Sequence, residues 1–370
     1  MPTPNSSGND LVSVMIAGRA HSDWSSYEID SQLMTPGDAW RVELSPPAGG
    51  VPASVAEGAR VEVRVGRDTV LVGSIDDIDE EVAHGRHTLT LSGRDGAGVL
   101  LDCSAPIFTA RQVTLAQVVA NVVRPLGITK VKIAAKSTYT TEKINVEPGD
   151  RAWEVLQNAA EANGLWPWFA PDGTLVIGGP NYSAPPVAAL VLRFNGKGNN
   201  VESLRQTRSM AGRFSQVTVL GQRHGTAEEE GESRLRGSAT DPAVKSFRPS
   251  VVVDYDSVSA ASALSRARKL LMDSRLKALT ITAKVTGHRT SAGVLWTPGQ
   301  RIQVQSEPHG INGVFFLMGR KFVKGRGNQG SYTQLTLKED KTWIIDAHGH
   351  KKHRRRRGDD GPSEIVDDVE

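Results

Sequence analysis

The chain has 370 residues and a mass of 39.8 kDa, with 38% hydrophobic, 23% charged and 5% aromatic residues. This exceeds the length of one average domain and has the composition to bury a core, which excludes a wholly disordered chain. Its 44 basic and 41 acidic side chains leave a formal charge of +3, too near balance for nucleic-acid binding by the surface as a whole.

Glycine, at 37 residues, is above its usual share and points to many turns and therefore many strands. No stretch approaches the roughly 20 apolar residues that span a bilayer. The opening MPTPNSSGND lacks the charged-then-apolar pattern of a signal peptide. One cysteine, Cys103, excludes an internal disulfide framework and a cysteine zinc finger.

The first hundred residues read as strands. Segments 11–18, 38–44, 59–65, 68–75 and 87–93 alternate apolar with polar residues, the period of a half-buried strand. PPAGG, GRD and AHGR between them are turn chemistry. The spacing predicts a small barrel or sandwich.

The period then changes. Thr114 is placed to cap a helix carrying Leu115, Val118, Val119 and Val122 on one face, stopped by Pro125 and Gly127. A second helix follows Asp150, its expected N-cap, with Trp153, Leu156 and Ala160 on a common face and Gly164 as a left-handed C-cap. WPWF, the turn PDG and TLVIG complete a helix-plus-hairpin unit, so this middle region reads as α+β.

VLRF and QVTVLG return to strand, and 221–241, nearly free of large apolar residues, reads as a mobile loop. The segment 259–277 predicts a helix with Ala260, Ala263, Leu264, Ala267, Leu270 and Leu271 on or near one face and Arg266, Lys269 and Asp273 outside. Segments 279–287, 300–305, 313–323 and 332–338 are again strands. The expected class is α+β, predominantly β, with two small β-barrel-like domains flanking an α+β middle domain. The expected boundaries are 1–104, 105–189 and 190–346, followed by a charged flexible tail at 347–370.

The run VEPGDRAWEVLQNAAEANGL, followed by PDGTLVI, resembles the middle domain of contractile-tail baseplate hub proteins, above all the Mu-like phage tail hub. Phage late-control proteins and the N-terminal part of type VI secretion spike proteins belong to the same group. EGARVEVRVGRDTVLVGSIDD and HTLTLSGRDGAGVLLDCS resemble that family's first barrel and its exit. SAASALSRARKLL, TITAKVTG, WTPGQRIQV and GINGVFFLM resemble its last barrel. The likeness runs over about 11–340 and omits the segment 221–241 and the tail.

The resemblance implies a homotrimeric ring around a channel, joining the sixfold tail tube to a threefold central spike, in the virion's tail baseplate after assembly in the bacterial host cytoplasm. It implies contact with spike, tube or other baseplate proteins, transient contact with DNA in the channel, and no catalysis.

The residues themselves offer little chemistry. GRGNQG (325–330) matches a dinucleotide fingerprint but has strands on both sides instead of a following helix, so a hairpin loop is expected. Asp76, Asp77, Asp79, Glu80 and Glu81 are read as a solvated turn at a strand end, not as a paired-carboxylate hydrolase site. Cys103, in VLLDCSAP, reads as a buried thiol. Trp153, Trp166 and Trp168 read as core, not as a sugar-stacking platform.

His348, His350 and His353 carry imidazole nitrogens suited to a metal, but six neighbouring cations oppose one. No catalytic, cofactor or metal site is therefore expected. Lys351, Lys352, Arg354, Arg355, Arg356 and Arg357 are the candidate contacts to an anion or an acidic partner. A tail-associated cell-wall hydrolase and a carbohydrate-binding module are the alternative readings.

Overall fold

The first region supplies β1 (Val12–Ile16), β2 (Arg19–His21), β3 (Ser26–Gln32), β4 (Ala39–Leu44), β5 (Arg60–Val65), β6 (Asp68–Ser74), β7 (Asp77–Ala83) and β8 (Arg86–Arg94). These come from a computed structural model, which describes residues 10–45, 53–107, 109–134, 141–223, 232–254, 259–326 and 330–345. Alternation sets the pairing of β1 and β5. Val12, Val14 and Ile16 lie opposite Val65, Val63 and Val61, and all six point into the core. Together with β2 and β6 they form a four-stranded sheet. At the corner where β6 crosses β8, a Cβ on Gly73 would lie 1.9 Å from the Arg94 carbonyl, and one on Gly93 1.9 Å from that of Ser74. Only glycine permits this approach.

The middle region contains α1 (Ala97–Asp102), β9 (Thr109–Val113), α2 (Leu115–Val118), β10 (Val131–Ile133), β11 (Thr141–Asn145), α3 (Ala152–Ala162), β12 (Trp166–Phe169) and β13 (Leu175–Gly178). Thr114 caps α2 as expected: its Oγ1 accepts from the Gln117 amide at 3.3 Å, and Gln117 Oε1 accepts from the Thr114 amide at 2.8 Å. Such a reciprocal cap contributes about 1 kcal/mol. The helix widens into a π turn at Val119–Val123, and Gly127 closes it at φ 85°.

Arg151, not Asp150, occupies the N-cap of α3. Asp150 Oδ2 instead accepts from the Glu147 amide at 2.8 Å, closing the turn before the helix. Gly164 follows α3 at φ 69°. Leu115, Val118, Val122, Trp153, Leu156, Ala160, Leu175 and Ile177 make this region's own core.

The last region holds β14 (Ala188–Leu192), β15 (Ser203–Arg208), β16 (Gln216–Arg223), β17 (Glu232–Thr240), β18 (Pro249–Val253), α4 (Ala260–Ala278), β19 (Leu279–Thr286), β20 (Arg301–Ser306), β21 (Ile311–Lys324) and β22 (Ser331–Glu339). The expected mobile loop at 221–241 is corrected here. Its second half is β17, paired antiparallel with β16; residues 224–231 lie outside the described residues. The low apolar content has a packing reason. A Cβ on Gly237 would sit 2.1 Å from the Leu264 amide nitrogen and 2.2 Å from the Ala263 carbonyl carbon. β17 thus runs against the backbone of α4, and at Gly237 no side chain fits between them. Val217, Val219, Ala263, Ala267 and Leu271 fill that interface.

The class is predominantly β, α+β, as the sequence indicates, but among the described residues no sheet closes into a barrel. The two flanking β regions also share one sheet. β3 pairs with β21, Ile29 opposite Phe322 and Asp30 opposite Lys321, which joins ten strands along the path β15-β19-β22-β21-β3-β4-β8-β7, with β20 and β14 branching from β21. A single cluster fills the space beneath it, from Val12 and Trp40 to Leu335 and Leu337. A bulge between Leu317 and Gly319 reverses the facing of β21. Leu317 and Phe322 enter this main core, while Phe316 and Met318 enter a second one with Leu276, Trp343 and Ile345. The run VFFLM is unbroken because, ahead of the bulge, Phe315 and Leu317 face the main core while Phe316 and Met318 face the second.

Candidate functional site

Two features of the ten-stranded sheet stand out: its solvent face and its two ends. Along one row of partners the solvent face reads Thr286, Tyr332, Val323, Glu28, Arg41, Ser92 and Asp77. A neighbouring row reads Ser203, Lys284, Gln334, Lys321, Asp30, Ala39 and Arg94. Nearly every position is polar. Where the two β regions meet, Lys321 Nζ lies 2.6 Å from Glu28 and 3.4 Å from Asp30. Such exposed pairs contribute about 1 kcal/mol or less and set register more than stability.

The ends of the sheet differ in charge. β7 is the outer strand at one end, with Asp77, Asp79, Glu80 and Glu81 all exposed. β15 is the outer strand at the other, with Arg205 and Arg208 exposed. Among the described residues each pairs on one side only. An open edge is a template for another strand, and charge on it selects the partner.

A buried polar group ties the two β regions together beneath this face. Arg320 on β21 is buried, donates to the carbonyls of Ile29 at 3.2 Å and Val70 at 3.4 Å, and lies 3.9 Å over the Phe322 ring. Burial lowers its pKa to about 10, against the pull of Asp38 and Asp30. Buried His288 bridges Tyr27 at 2.8 Å and Thr333 at 3.1 Å; burial, then Arg320, lowers its pKa to about 3, so it is neutral. Burial raises Asp95 to about 8 with help from Asp38, whose own carboxyl rises to about 6. Neither carboxyl faces an open cleft with a nucleophile. The cluster is a joint, not a reaction centre. Sequence reasoning missed it, although Arg320 shares the core-facing parity of Phe322, the signal of a buried charge.

The acids 76–81 are not a turn. Asp77 to Glu81 form edge strand β7, and Asp76 binds Arg94 at 2.6 Å. Alternation was invisible there because nearly every side chain is polar. Glu80 meets His87 at 2.7 Å and Glu81 meets Arg86, so the carboxylates are spread along a strand and do not converge. Cys103 is half-buried, less enclosed than expected, because it terminates the short α1.

Trp153 is buried in the middle core. Trp166 donates to the Leu33 carbonyl at 2.6 Å and packs edge-on against Trp343. Trp168 lies on β12 in the same hairpin, half-buried. The three form no exposed platform. In GRGNQG, residues 327–329 lie outside the described residues, and β21 and β22 flank the segment. His348, His350, His353, Lys351, Lys352, Arg354, Arg355, Arg356 and Arg357 also lie outside the described residues. Among the described residues there is no cluster of metal-ligating side chains.

Residues 11–95 match the family described as Mu phage baseplate assembly protein GpP-like, N-terminal. Residues 97–179 match the second domain of the baseplate hub protein gp44-like family. Residues 213–271 match the third domain of the tail protein NMB1110-like family, and 273–342 a tail protein C-terminal domain. The tail protein from Neisseria meningitidis MC58 is 38% identical, over 91% of this chain and 98% of that one, with a TM-score of 0.79. The chain belongs to the Mu-like phage tail and baseplate hub family.

Baseplate hub protein gp44 of Escherichia phage Mu is 22% identical over 94% of this chain and 92% of its own length. The 43 kDa tail protein of prophage MuSo2 from Shewanella oneidensis shares the fold, with a TM-score of 0.79 at 23% identity over 90% of this chain and 99% of that one. These are structural tail components, and the family is not one of enzymes.

Proposed function

We propose that this hub protein forms a homotrimeric ring that joins the tail tube to the central spike and surrounds the DNA channel of a contractile tail. The observation that carries this reading is the pair of open sheet edges of opposite charge, acidic β7 and basic β15. A surface with unlike ends associates head to tail, and such contacts close into a ring when the rotation permits. The polar solvent face of the sheet then lines the channel, where an apolar one would bind passing chains. Function resides in shape and subunit contact, and the protein acts in the virion baseplate after assembly in the host cytoplasm.

The basic run Lys351, Lys352, Arg354, Arg355, Arg356 and Arg357 supplies six cations per subunit for an acidic partner or DNA phosphates. Light scattering of the purified protein is expected to give three times 39.8 kDa, or, if the ring forms only with the spike partner, a complex that holds three copies of this chain. Asp79→Lys with Glu81→Lys lowers the mass to that of a monomer, and adding Arg205→Glu with Arg208→Glu restores the ring. A monomer at high concentration, persisting with the spike partner, overturns the proposal.

A further inference from the structure

The small sheet of β17, β16 and β18 has an unusual outer side. Val217, Val219 and Val252 point towards α4. Positions of the opposite parity on and before β18 are Phe247, Pro249, Val251 and Val253. Phe247 is 79%, Val251 63% and Val253 58% exposed. Leu220, 38% exposed, lies beside Val253 in the parallel register of β16 and β18. A strand packed on one face ordinarily turns polar residues to water. Here the exposed row is apolar, and β18 is also an outer strand, paired among the described residues only with β16.

The surroundings of the row are basic. Arg236 on β17 is exposed and stands opposite Leu220. Lys245 is exposed in the segment leading to β18, whereas Arg248 there donates to the carbonyls of Arg213 and Met210, both at 3.0 Å. The nearby described acids are already engaged: Asp241 binds Arg213 at 2.9 Å, and Asp254 lies 3.9 Å from Arg266.

We propose that the outer side of β18 and β16 docks an extended segment of another polypeptide whose side chains alternate between apolar and acidic. The partner lies across the outer face of β18 and β16, where Val253, Leu220 and Arg236 stand side by side on successive strands. The partner's apolar residues cover Phe247, Val251, Val253 and Leu220, and its carboxylates meet Arg236 and Lys245. This surface is separate from the sheet edges invoked for the ring, so it stands whether or not the ring forms.

The test uses the full chain and two labelled heptapeptides, Glu-Val-Glu-Val-Glu-Val-Glu and its lysine counterpart, read by fluorescence anisotropy. The acidic peptide is expected to bind at least tenfold more tightly than the basic one. Val251→Lys with Val253→Lys removes at least tenfold of that affinity without lowering the melting temperature, since both side chains point to water. Should that variant unfold, Arg236→Glu with Lys245→Glu decides, and is expected to reverse the peptide preference. Equal binding of the two peptides, or unchanged binding after the paired lysine substitutions, overturns the proposal. So does a fall in oligomer mass on those substitutions, which would assign the face to a second copy. A tenfold gain in peptide affinity on removing 346–370 would assign it to the chain's own acidic terminus and overturn it equally.

Discussion

The ten-stranded sheet and the three-stranded sheet under α4 meet the same requirement in opposite ways. The large sheet turns its apolar residues onto a continuous core and presents polar rows to water. Its outer strands carry charge. The small sheet has only a thin interface, five buried side chains from Val217 to Leu271, beneath one helix and leaves an apolar row uncovered on its other side. The difference separates a scaffold from a contact surface. A sheet that buries one face deeply is stable alone, whereas one that buries little gains most when a partner covers the rest.

Phe322→Ala is the strongest way to break the large sheet. Phe322 is fully buried at the β3–β21 junction and packs against Arg320 and His288. Truncating such a ring costs about 3–5 kcal/mol. The expected result is a lowered melting temperature with both β regions losing hydrogen-exchange protection together. Loss confined to one region would show that the shared sheet is not a cooperative unit.

Gly237→Val tests the small sheet. The added carbon meets the α4 backbone, so helix and strand must separate, at about 1–3 kcal/mol or more. Amides of β16, β17 and α4 are expected to exchange faster while those of β19, β21 and β22 stay protected. Equal loss in both sheets would contradict the division drawn between them.

Asp95→Asn sharpens the comparison through pH. Aspartate in an unfolded chain titrates near 4, and burial raises Asp95 to about 8 in the fold. The fold holds the protonated form, so this contribution is complete below about pH 4 and is lost as pH rises towards 8. Asp38, raised to about 6, acts in the same direction. Asparagine stays neutral and keeps an oxygen to accept from the Ala97 amide, as Asp95 does at 2.9 Å. Urea midpoints at pH 5, 7 and 8.5 should fall less in the variant than in the parent. Parallel curves would mean that Asp95 is ionised in the fold without cost.

Much of this scaffold was legible in the sequence. β1 and β5 have a valine or isoleucine at every second position, β19 has Leu279, Ile281, Ala283 and Val285 and β22 has Leu335 and Leu337 in the same alternation, and the α2 and α3 faces repeat at helical spacing, so pattern alone located them. β3, β7, β15 and β17 escaped because they are short of large apolar residues. Ile29 and Tyr27 are the main core anchors of β3, and Leu204 is that of β15. β17 faces α4 through Gly237 and Ala239. The β3–β21 pairing joins residues nearly three hundred positions apart, which no local pattern encodes. The apolar row of β18 was likewise unreadable, since PSVVV does not say which valine faces the helix. The charge difference between β7 and β15 needed the strand order before it meant anything.

The smallest effect on stability is expected from removing 347–370. That segment carries six Lys/Arg followed by six acids, with only Ile365, Val366 and Val369 as sizeable apolar groups. Ordering a residue costs about 1 kcal/mol or more, and three such side chains cannot offset this for more than twenty residues. Neither sheet needs the segment for its core, so the melting temperature and the oligomer mass should be nearly unchanged. Contact with an anion is different. Adjacent arginines repel one another and are relieved by phosphates or carboxylates, and a trimer would bring three such runs together. The acidic block that follows competes for the same cations, so such a contact is expected to be weak and salt-sensitive. Truncation should therefore reduce binding to a labelled single-stranded oligonucleotide, strongly at 50 mM salt and little at 300 mM. Equal loss at both salts would point to a contact made by shape. Collapse of the oligomer would make the segment part of the scaffold.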